Sequence, residues 1–71
     1  MYQIVIATPL GELGTKPFSE EEKSKVETEL LKSLENLSIL PYVSFVLEDG
    51  QYLYMTRDMI GRSVFFLRKV S

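Results

Sequence analysis

The stretch that most constrains this chain runs from Tyr42 to Met55, YVSFVLEDGQYLYM, two apolar runs joined by Asp49-Gly50. Asp-Gly between β-favouring runs is the strongest short-range hairpin signal, because a two-residue type I′ turn needs positive φ at both central positions. A two-residue loop sets Leu47 opposite Tyr52, Val46 opposite Leu53 and Phe45 opposite Tyr54. Successive strand side chains point to opposite faces. One face of the hairpin then carries Val43, Phe45, Leu47, Tyr52 and Tyr54, and the other carries Ser44, Val46, Glu48, Gln51, Leu53 and Met55. A hairpin with one wet face alternates cleanly between apolar and polar; in this register both faces call for cover.

Residues 2–7 form an expected first strand, with Tyr2, Ile4 and Ile6 on one side and Gln3, Val5 and Ala7 on the other. A near-continuous apolar run suits a central strand covered on both faces. Thr8 to Phe18, TPLGELGTKPF, is punctuated by Pro9, Gly11, Gly14 and Pro17 and is expected to be a surface loop. Its Gly11 to Lys16 spacing, G-x-x-G-T-K, departs from the phosphate-binding G-x-x-x-x-G-K-[ST]. The acids Glu20, Glu21 and Glu22 also occupy the helix start where an anion would dock.

Ser19-Glu20-Glu21-Glu22 matches the S-x-x-E capping box, and a helix is expected over about residues 20–36. Val26, Leu30, Leu34 and Leu37 recur at helical spacing, with Leu31 widening the stripe, so this face is expected to lie on a sheet. Asn36 is the expected end and Pro41 prevents continuation. After the hairpin, Asp58-Met59-Ile60 suits a single helical turn stopped by Gly61, or a wide loop. Val64 to Val70 suits a last strand, with Val64, Phe66, Arg68 and Val70 on one side. The expected fold is therefore α+β, order β-α-β-β-β, one amphipathic helix on a four-stranded mainly antiparallel sheet, with residues 1–71 as a single domain.

A chain of 71 residues is small, and such chains bury only about 60% of the surface their unfolded form exposes. There is no cysteine to add a disulfide, and no histidine, which excludes the usual zinc sites and the commonest general base. The opening Met1 to Ala7 lacks a basic leader and is too short to span a membrane, so a cytoplasmic protein with no membrane partner is expected. Net charge is −2, unevenly placed. Residues 19–36 carry six acids against three lysines, and residues 51–71 carry four bases against Asp58 alone. Two solvated faces of opposite sign account for this.

The acids outside the helix are Glu12, Glu48, Asp49 and Asp58; turn chemistry explains Glu48 and Asp49, and no pair has acid–base spacing. No enzyme activity and no cofactor are expected. One helix covers one side of a sheet, and a monomer seldom exposes a contiguous apolar patch beyond a few hundred Å². The expected function is a small interaction module. It self-associates as a dimer or larger and binds and regulates or inhibits a protein partner, or sequesters a small anionic ligand. The candidate binding residues are Arg57, Arg62, Arg68, Lys69, Tyr52 and Tyr54. The alternative is nucleic-acid binding, in which strand aromatics stack beside those four bases. A pI near 5.0 argues against it.

Overall fold

In a computed structural model of the chain, which describes residues 1–39 and 41–70, the strand predicted to be central is central. β1 (Tyr2–Thr8) is flanked by β2 (Gly11–Gly14) on one edge and β5 (Val64–Lys69) on the other, all antiparallel. β3 (Tyr42–Val46) and β4 (Tyr52–Thr56) form a separate two-stranded antiparallel sheet. The fold is thus α+β with three- and two-stranded sheets, rather than one four-stranded sheet. The extra strand, β2, lies inside the expected surface loop of residues 8–18. Its residues are Gly-Glu-Leu-Gly, of low strand propensity, and its order comes from pairing with β1 in the register Val5 with Gly14 through Thr8 with Gly11.

A bulge joins the sheets. Thr15 N–H donates to the Ile4 carbonyl at 2.9 Å, while Phe18 and Tyr2 exchange two bonds of 2.8 Å. Lys16 and Pro17 therefore oppose the single residue Gln3, the two-against-one count of a bulge. Proline is tolerated there because it owes no ladder donor. The freed Lys16 N–H reaches the Val46 carbonyl at 2.9 Å, and Glu48 N–H reaches that of Gly14 at 3.2 Å, so the bulged strand carries the β3–β4 hairpin.

Ser19 caps the helix as expected. Its hydroxyl accepts from Glu22 N–H and Glu22 accepts from Ser19 N–H, both at 3.3 Å. One 3₁₀ turn (Glu20–Glu22) leads into α1 (Lys23–Glu35), which ends at Asn36. Val26, Leu30, Leu34 and Leu37 pack on a core of Ile4, Ile6, Phe18, Val43, Met55 and Ile60. Leu31, expected to widen that stripe, is 60% exposed, so the helix packs only along the narrower line of Val26, Leu30, Leu34 and Leu37. The segment after β4 is a helical turn, α2 (Arg57–Gly61), whose Thr56 side chain accepts from Met59 N–H.

The hairpin forms, but one residue out of the expected register. Leu47 N–H donates to the Gln51 carbonyl at 2.8 Å and Gly50 N–H to that of Leu47 at 3.0 Å, closing a three-residue loop Glu48-Asp49-Gly50. Gly50 takes φ +85°, the left-handed position that follows a type I turn in such loops. Asp49 Oδ1 accepts from Gln51 N–H at 3.0 Å. Phe45 then opposes Leu53 and Val43 opposes Met55. A slip of one residue exchanges the faces of one strand relative to the other. Val43, Phe45, Leu53 and Met55 all turn to the core, and Tyr42, Ser44, Val46, Tyr52, Tyr54 and Thr56 turn outward. The hairpin therefore has one core face and one tyrosine-bearing outer face, not two mixed faces.

On the other side of β1, Gln3 is 3% exposed. Its Nε2 donates to the Thr15 carbonyl and to Glu48 Oε1, each at 2.9 Å, and its Oε1 accepts from Arg68 Nη2 at 3.1 Å. Gly14 leaves room for this: a Cβ there would fall 2.5 Å from Glu48 Oε1 and 2.6 Å from Gln3 Nε2. One buried amide thus ties β1, the bulge, the hairpin turn and β5 together.

Three substitutions test this packing. Met55, 2% exposed, should cost about 2–5 kcal/mol on truncation to Ala. Leu31→Ala should change stability by less than about 0.5 kcal/mol; chemical denaturation giving the reverse ranking would contradict the helix placement. Gln3→Leu strands the Thr15 carbonyl and should destabilise by about 1–3 kcal/mol. An unchanged denaturation midpoint would show that the amide ties nothing.

Candidate functional site

The outer face of the β3–β4 hairpin concentrates the exposed aromatic surface. Tyr52 and Tyr54 are 64% and 60% exposed, and Tyr42 and Val46 are exposed beside them. The Tyr42 and Tyr54 rings meet edge to face, with centroids 5.3 Å apart and planes at 80°. Such a pair adds about 0.5–1.5 kcal/mol beyond its buried area. Of the other strand aromatics, Phe65 turns inward to Phe45, with centroids 5.8 Å apart, and Phe66 turns outward on β5.

The four candidate bases do not converge on these rings. Arg57 leaves β4 for α2, and its Nε donates to the Leu37 carbonyl at 2.9 Å, fastening the C-terminal end of the long helix to the start of the short one. Arg62 lies one turn further on, 3.4 Å from Asp58 in an exposed i,i+4 ion pair. Arg57 and Arg62 share a shallow hollow with Pro41, Thr56 and Asp58. Arg68 belongs to the Gln3 amide on β5, and Lys69 follows it on the opposite side of the strand. Two of the four bases are together and two are elsewhere.

The carboxylates are likewise dispersed. Glu48 is engaged by Gln3, Asp49 by the turn and Asp58 by Arg62. Among the described residues no three acidic, histidine or cysteine side chains come together to hold a metal ion. No described helix is long and apolar enough to cross a membrane. Thr15, in the G-x-x-G-T-K stretch, is buried with its Oγ1 accepting from Ile4 N–H at 3.0 Å.

Sequence reasoning missed a cleft of about 440 Å³ between the β1–β2 hairpin, β4 and α2. Leu10 to Leu13 line it from the β1–β2 hairpin and Leu53 to Thr56 from β4, with Thr8 and Met59 also in the lining. Its volume lies in the range of small-ligand sites, which are mostly apolar with few polar groups. Glu12 is its one charged lining residue. The missed signal was Leu10 and Leu13, two leucines in a stretch otherwise made of turn residues. No protein-family model, no curated protein and no solved structure matches this chain.

Proposed function

We propose that the protein is a small non-enzymatic interaction module that self-associates and presents a binding surface to a protein partner. One observation carries this reading: each sheet keeps an exposed apolar or aromatic outer side. Tyr42, Val46, Tyr52 and Tyr54 lie on the hairpin, and Val64 and Phe66 on β5, with Val70 just beyond it. Tyrosine is suited to a binding surface, being rigid, largely apolar and able to hydrogen-bond through its hydroxyl.

A small anionic ligand would find Arg57 and Arg62 in one hollow, but both are already engaged, by Leu37 and Asp58. Nucleic acid fits less well than protein, since stacking platforms need bases beside the rings and Arg68 is held by Gln3 on the other sheet.

Light scattering at micromolar concentration should give at least twice the 8.2 kDa chain mass. Phe66→Asp should return it to the single-chain value with an unchanged circular dichroism spectrum. A wild-type protein that stays at 8.2 kDa at all concentrations would refute self-association.

A further inference from the structure

The strand order leaves β5 at the end of its sheet, paired to β1 alone. Antiparallel ladders alternate between residues whose backbone groups face the neighbour and residues whose groups face away. Val70 N–H donates to the Met1 carbonyl, and the register runs on from there through Tyr2 with Lys69 to Ala7 with Val64. Val64, Phe66 and Arg68 therefore direct their backbone groups to β1, and Phe65, Leu67 and Lys69 present theirs along the outer edge. The side chains divide the same way. Phe65 and Leu67 lie beside Ile6 and Ile4 and pack on the core, while Phe66 lies beside the buried Val5 on the reverse side. Proteins guard such edges with prolines, bulges or charges. β5 is Val-Phe-Phe-Leu-Arg-Lys, in unbroken register with β1 and charged only at its last two residues.

We propose that the outer edge of β5 pairs antiparallel with the same edge of a second copy, about a two-fold axis through Phe66, so that the two three-stranded sheets become one. The inference rests on the self-association reading and names its interface. The backbone restricts the register. Outward-facing residues must oppose outward-facing residues, so the axis passes through a residue and never between two. An axis at Arg68 would stack that arginine on its own copy, and like charges directly opposite are destabilising. An axis at Leu67 would set Lys69 opposite the partner's Phe65, on the core side. An axis at Phe65 would bring Arg68 against the partner's Arg62. At Phe66 every one of these conflicts disappears. Phe65 meets the partner's Leu67 on the core side, and Phe66 meets its own copy on the reverse side, an aromatic pair of the kind favoured across strands. Arg68 and Lys69 of the two copies lie at opposite ends of the ladder, opposite the partner's Val64 and the partner's Ser63. A parallel arrangement would instead run the four bases side by side. An edge that complements its own sequence in one register fits a second copy rather than an unrelated segment.

The test uses the full chain. In the wild-type protein, hydrogen exchange followed by NMR should slow at the Phe65, Leu67 and Lys69 amides as concentration rises. Light scattering over the same range should pass from 8.2 kDa to twice that mass. Slowed exchange at Tyr52 and Tyr54 instead would put the contact on β4 and overturn the proposal. The register is read with single cysteines, since the chain has none of its own. Phe66→Cys sets two thiols in a non-hydrogen-bonded pair about 4.5 Å apart at the α-carbons, within disulfide reach. Oxidised glutathione should link it into a covalent dimer. Val64→Cys alters the more exposed of the two positions, but its copy lies four residues along the ladder, roughly 13 Å away. It should stay unlinked under the same conditions. No linking of Phe66→Cys, equal linking of both variants or linking of Val64→Cys alone would overturn the register. A wild-type chain that is monomeric at every concentration overturns self-association and this interface together. A dimer whose β5 amides still exchange fast overturns the interface alone.

Discussion

The structure hangs on a strand buried from both sides. Ile4 and Ile6 face the helix, while Val5 and Gln3 are equally hidden on the reverse. That reverse side has no helix to shelter it. The β3–β4 turn shelters it instead, with Glu48 lying over Gly14 and bonding to Gln3. A buried amide is costly when unpartnered. Three partners therefore make Gln3 a positional device: the hairpin turn, the bulge and β5 satisfy it only in one arrangement.

Much of this was legible in the residues. The central strand, the Ser19–Glu22 cap, the helix ending at Asn36 and the last strand declare themselves through period and end signals, while Asp58-Met59-Ile60 suited a helical turn and a wide loop alike. The hairpin declared itself but not its register, because Asp-Gly serves both a two-residue loop and a three-residue loop with glycine in the left-handed position. The alternation held the answer. Only the longer loop gathers Val43, Phe45, Leu53 and Met55 on one face and every hairpin tyrosine on the other, and clean segregation is what a half-buried sheet requires.

Less of the candidate site was legible. β2 is half glycine, and its order comes wholly from the neighbour it pairs with, which no local pattern records. The cleft inherits that invisibility, since one of its walls is β2. Spacing also gave no sign that Arg57 and Arg68 would be drawn into backbone and amide contacts. Charge along a sequence says where bases are abundant; only the fold says which of them are already occupied.

The pairing of β1 with β5 has a kinetic side. Tyr2 lies opposite Lys69, and Val70 N–H closes on the Met1 carbonyl at 2.9 Å, so the central sheet joins segments separated by almost the whole described chain. Loop closure of that span must precede the contacts that reward it. During synthesis the helix and the β3–β4 hairpin can form as each emerges, while β1 waits with one flank bare until Val64–Lys69 leaves the ribosome. Until then its Ile-Val-Ile run is the segment a chaperone, or a neighbouring nascent chain, would find first.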